Sequence, residues 1–132
     1  MQLKSAIVGM LVAGVLASPA WASGGIYCNA GDAAGIDLAT GRLAVLHILD
    51  ATVSVGEETW TTAPARISGT PIVVGQAFED ADSIAVDLMD DNYEAILVRL
   101  RLVTEREADE IVIAGTLAVA GRGVWAVTCE AG

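Results

Sequence analysis

Apolar side chains recur at every second position along the C-terminal half of this chain, the period of a strand with one buried face. SIAVDLMD (83–90) puts Ile84, Val86 and Leu88 on one face and Ala85, Asp87 and Met89 on the other. Asp91-Asn92 reads as a tight turn. YEAILVRLRLV (93–103) then places Ile96, Val98, Leu100 and Leu102 opposite Arg99 and Arg101, as in an antiparallel strand with one wet side. EREAD (105–109) makes the next connection. EIVIAGTLAVA (110–120) follows, with Ile111, Ile113, Leu117 and Val119 inward and Gly115 at a kink or bulge. Gly121-Arg122-Gly123 turns the chain again, and the last strand, 124–130, has Trp125, Val127 and Cys129 on one face, in the core. The pattern predicts a C-terminal four-strand meander.

The N-terminal half is less regular. Residues 26–29 predict a short first strand carrying Cys28, and 36–39 a second one ended by a turn at Thr40-Gly41. RLAVLHILDATVSV (42–55) is rich in β-branched residues and alternates over its last third, which predicts a long strand bulged near His47 or Asp50. A short helix over 43–49 is the competing expectation. Glu57 and Glu58 head a turn, 59–62 pairs back, 64–71 is loop, and 72–78 is a further strand. About seven to nine short strands with Gly, Asp and Asn turns predict an all-β domain, an antiparallel barrel or sandwich.

The ends of the chain add a compartment. MQLKSAIVGMLVAGVLASPAWA (1–22) has a positive start at Lys4, an apolar run from Ile7 to Ala17, and small residues at −3 and −1 of Ala20-Trp21-Ala22. These are the parts of a cleaved secretory signal. The run is shorter than the ~20 residues of a spanning helix, so no membrane insertion is expected after cleavage. Residues 23–132 then form one domain, periplasmic or secreted. Such compartments keep disulfides. Cys28 and Cys129 are the two cysteines, one near each end, and their pairing is the simplest outcome, against an intermolecular bridge or free thiols. It requires the first and last strands to come within about 7 Å.

Charge narrows the partners. Seven Lys and Arg stand against seventeen Asp and Glu, and loss of Lys4 with the signal takes the formal charge from −10 to −11. Such a balance repels phosphate backbones and anionic headgroups, so no nucleic acid is expected, and it favours encounter with a basic protein.

Candidate chemistry is sparse. The one histidine, His47, sits inside an apolar run, and no nucleophile elbow or zinc-binding helix is present, so no catalytic residue, metal or cofactor is assigned. Carboxylates are the abundant reactive groups. Clusters at 79–82 and 90–94 flank one strand and so lie at its opposite ends; each offers hard oxygens to calcium, but neither matches a calcium-loop spacing and solvated turns account for them more simply. Arg99 and Arg101 are expected to pair across strands with carboxylates such as Asp87. The candidate partner-binding set is Glu57, Glu58, Glu79, Asp80 and Asp82, around an exposed Trp60.

The layout, with Tyr27-Cys28-Asn29 at one end and Cys129 at the other, resembles in architecture the small periplasmic lysozyme inhibitors, barrels with a Y-x-C near the start and a late cysteine. Here tyrosine and cysteine are adjacent, and residues 23–132 contain no lysine for an inhibitory loop. The likeness implies a barrel and carries over no functional residue. The expected function is a non-enzymatic binding or interaction module, with an envelope assembly component second and a carboxylate-dependent hydrolase third.

Overall fold

A computed structural model describes residues 23–42 and 45–132; the segment read as a signal, 1–22, lies outside the described residues. The described chain is all strand: β1 (Ser23–Asn29), β2 (Ala34–Arg42), β3 (Leu46–Val55), β4 (Glu58–Thr61), β5 (Thr70–Glu79), β6 (Ser83–Asp90), β7 (Ile96–Glu107), β8 (Glu110–Val119) and β9 (Gly123–Ala131). They close into a barrel in sequence order, which decides between barrel and sandwich. The β6–β9 meander forms as its alternation requires.

One pairing departs from the antiparallel expectation. β4 and β5 run parallel, joined by Trp60↔Thr70 and Thr61↔Pro71 alone, so residues 62–69 carry the chain back along the wall between them. The return segment is tied to β3 by Thr62, whose amide donates to the Ala51 carbonyl (3.0 Å) and whose hydroxyl accepts from the Ala51 amide (2.9 Å).

Alternation puts Ile36, Leu38, Val53, Val86, Leu88, Val98, Leu100 and Leu117 inside, all essentially without solvent contact. The lumen is therefore a filled apolar core and the outer wall is mixed and polar, the inverse of an outer-membrane barrel. At Gly115 the backbone of β8 crowds that of the adjacent strand β7. A Cβ there would stand 1.8 Å from the Arg101 carbonyl oxygen. The ladder passes Gly115 without a register shift, so it marks a close backbone approach and not a bulge.

The bulges lie elsewhere, at Leu49 in β3, Gly75 in β5 and Leu97 in β7, each the extra residue at a register shift. The first is the one expected near His47 or Asp50, and residues 46–49 are strand, not helix. The third changes a side-chain assignment. Beyond Leu97 the alternation of β7 reverses, so Ile96 faces outward opposite Met89, 46% exposed, instead of joining the core. Thr40 and Gly41, expected to turn the chain, continue β2 in pairing with β3.

The closing seam joins β1 to β9 by four residue pairs, Ile26↔Ala131 to Asn29↔Thr128, extended by reciprocal amide–carbonyl bonds between Gly25 and Gly132 (2.8 and 2.9 Å). Cys28 and Cys129 face each other in this register with alpha carbons 4.0 Å apart and are disulfide-bonded. A bond across 101 positions of sequence thus staples the short seam that closes the barrel. Trp125 is half-buried against the core but lies two inward positions from Cys129, with Val127 between them.

Candidate functional site

Strand directions sort the turns onto two ends. The β1–β2, β3–β4, β6–β7 and β8–β9 turns share an upper end. The β5–β6 and β7–β8 turns share the lower end with Ser23 and Gly132. The candidate set divides accordingly. Glu57, Glu58 and Trp60 are upper; Glu79, Asp80 and Asp82 are lower, roughly 30 Å down β5 from the Trp60↔Thr70 pair at strand rise. They form no single acidic surface.

Nor is Trp60 an exposed anchor. It pairs with Val53, faces the core and is 8% exposed. Arg122 reaches from the β8–β9 turn across the upper mouth, its guanidinium 5.8 Å from the Trp60 ring centre. The same guanidinium grips Glu58 with two parallel bonds, Nε to Oε1 at 2.9 Å and Nη2 to Oε2 at 2.6 Å. This forked pair holds the Glu58 carboxyl below its ordinary range and the Arg122 guanidinium above its own. At the upper end Glu58 is thus engaged by Arg122.

The lower end is open. A recess of about 600 Å3 enters the barrel between β1, β6, β8 and β9. Ile26, Ile84, Ile113 and Cys129 line it together with Glu79, Asp80, Arg106 and Glu130. The hairpin β7–β8 makes one lip. Its pairing with β6 stops at Ser83↔Val103 and with β9 at Ile113↔Cys129, so its tip projects past both neighbours. Ile111 keeps the inward direction that alternation gives it but sits on this overhang, 55% exposed, and so belongs to the mouth and not to the core. Asp82, Glu105, Glu107, Asp109 and Glu110 crowd the same end.

Asp80 also has a local task. Its Oδ1 accepts the amides of Asp82 (2.9 Å) and Ser83 (2.8 Å) and the Ser83 hydroxyl (2.9 Å), closing the β5–β6 turn. Those donors hold its carboxyl below the ordinary range. A general acid needs the opposite shift. Asp90 does the same at the other end of β6, accepting the amides of Glu94 (2.8 Å) and Ala95 (2.7 Å), and is likewise lowered. One carboxylate of each acidic cluster, Asp80 or Asp90, is thus occupied by its own backbone. Among the described residues no group of three or more His, Cys, Asp or Glu side chains is placed to hold a metal ion.

On the outer wall the register sets Asp87 opposite Arg99, yet the ion pair runs diagonally, from Arg101 Nη1 to Asp87 Oδ1 at 2.9 Å. Gln76 Nε2 donates to Asp87 Oδ2 (2.9 Å) across β5, leaving Asp87 5% exposed on an outer face. His47 is exposed. The residues that composition alone passed over are Ile26, Ile84, Arg106, Ile113 and Glu130. Their signal was phase: Arg106 shares the face of Leu102 and Thr104, and so points into the mouth when β7 overshoots its neighbour. No family model, curated protein or solved structure matches this chain.

Proposed function

We propose that this chain is an exported binding module that engages a basic protein through the lower mouth of its barrel. One observation carries the reading: a recess of about 600 Å3 at the lower end is lined by Ile26, Ile84 and Ile113 together with the carboxylates of Glu79, Asp80 and Glu130, while at the upper end Glu58 is held by Arg122. Apolar walls with a few convergent polar groups at a barrel mouth are the usual form of a ligand site, and the acidic rim selects for positive charge. Export is part of this reading: the opening 22 residues have the parts of a cleaved secretory signal, and the Cys28–Cys129 disulfide is compatible with an oxidising compartment.

The test compares two ends of one molecule. Immobilised oxidised protein is challenged with periplasmic extract at low and high salt, beside a lower-rim variant (Glu79→Gln, Asp82→Asn, Glu130→Gln) and an upper-end control (Glu57→Gln). The expected result is salt-sensitive retention of basic proteins by wild type and control and its loss in the lower-rim variant. Equal retention by all three, or none at low salt, removes the proposal.

A second reading, an envelope assembly component, is favoured by β5. Below Pro71 its edge toward β4 has no paired strand among the described residues, and such edges accept strands from other chains. A concentration-dependent dimer in sedimentation velocity supports it; a monomer at every concentration removes it.

A further inference from the structure

Below the Ile113↔Cys129 pair, β8 and β9 separate. Val112, Ile111 and Glu110 of β8 stay paired with β7 alone, and Glu130 and Ala131 of β9 stay paired with β1 alone. No backbone hydrogen bond joins the two stretches. Two free strand edges therefore face each other across a fork. The lower recess lies in this fork, lined by Ile111 and Ile113 from β8 and by Cys129, Glu130 and Ala131 from β9. Unpaired edges of this kind are where a sheet accepts a further strand.

We infer that the fork takes an extended segment of the partner, added as a strand between β8 and β9. The inference rests on the lower-mouth reading above and names how the partner is held. Alternation fixes the pattern such a segment must carry. On the outer face its neighbours are Glu110 on one side and Glu130 on the other, with Glu105 and Glu107 on the next strand. Among the described residues none of these four side chains makes a hydrogen bond or ion pair. Arg106 has the opposite phase, on the inner face of the hairpin opposite Ile111. On the inner face the neighbours are Ile111 and Ala131, with Ile26 and Ile84 further into the recess. Lysine or arginine therefore belongs at alternate, outward positions, with an apolar side chain between them directed into the recess. An acidic segment would meet like charge at every outward position.

The test separates backbone pairing from charge. The peptide Ac-Lys-Val-Lys-Val-Lys-NH2 is titrated into isotope-labelled oxidised protein and into its Glu110→Gln, Glu130→Gln double variant. Two relatives are run beside it, one with glutamate for each lysine and one methylated at both valine nitrogens. Binding is read from the amide resonances of Ile111, Val112, Glu130 and Ala131, and the rest of the spectrum reports that the variant is folded. The lysine peptide is expected to bind and the glutamate peptide not to. Methylation keeps every side chain but removes the donors along one edge of the added strand, and weakens binding about 10-fold. The double variant weakens it about 5-fold, as for two exposed ion pairs. If the methylated peptide binds as tightly as its parent, or the double variant binds unchanged, strand addition in the fork is refuted while the lower-mouth reading stands. If the glutamate peptide binds in place of the lysine peptide, both fall. If no peptide moves any resonance of the lower end, both again fall.

Discussion

Removing the staple is the most direct trial of the fold's energetics. Cys28→Ala with Cys129→Ala leaves the β1–β9 seam with its four pairs and the Gly25–Gly132 bonds, but frees a loop of 101 positions in the unfolded chain. The chain-entropy model assigns about 4.7 kcal/mol to closing a loop of that size. A domain spanning 23–132 has an unfolding entropy near 0.23 kcal/mol/K at about 2.1 cal/mol/K per residue. The quotient is a fall in Tm of roughly 20 °C, and the 4.7 kcal/mol behind it is a large share of the roughly 5–15 kcal/mol that holds a typical domain together. Thermal unfolding followed by far-ultraviolet circular dichroism measures it, with dithiothreitol-reduced wild type as a second sample that keeps both sulfur atoms in place. A drop of less than about 5 °C in both samples would refute the reasoning, because the seam would then hold without its covalent link.

Three further outcomes follow from the same geometry. Gly115→Ala drives a methyl group into the Arg101 carbonyl, 1.8 Å away, so the β7–β8 ladder must part; a loss above about 2 kcal/mol is expected from urea midpoints. Leu100→Ala, at a position with no solvent contact, is expected to cost about 2–5 kcal/mol by the same assay, and a value under 1 kcal/mol would contradict the filled lumen. Glu58, Asp80 and Asp90 all have carboxyls lowered in the folded state, so their contributions are fully present above the ordinary carboxylate range and disappear as pH falls through their folded values. Urea stability should therefore decline below about pH 4.5, less steeply in Arg122→Ala, where Glu58 has lost its partner; parallel curves would contradict the pairing.

Much of the site was hidden by exceptions to a period that was otherwise easy to follow. Alternation put Val98, Leu100 and Leu102 in the core correctly, then failed at Ile96 because one extra residue at Leu97 reverses the face. It gave Ile111 the right direction and the wrong burial, since burial depends on where the neighbouring strands stop. Glu58 and Trp60 were placed near each other as expected, but Trp60 faces the core, and Arg122, 64 positions from Glu58 in sequence, takes the Glu58 carboxylate as its partner.

The sequence by itself determined the strand class, the C-terminal meander and the pairing of two cysteines that must be neighbours if the ends meet. Each follows from a local rule: side chains alternate along a strand, turns need particular residues, and a disulfide needs short reach. Only the tertiary structure decided that the sheet closes, that β4 and β5 run parallel, and which residues line the lower recess. Those outcomes depend on register and stagger between strands far apart in the chain, and a one-residue bulge is enough to change them.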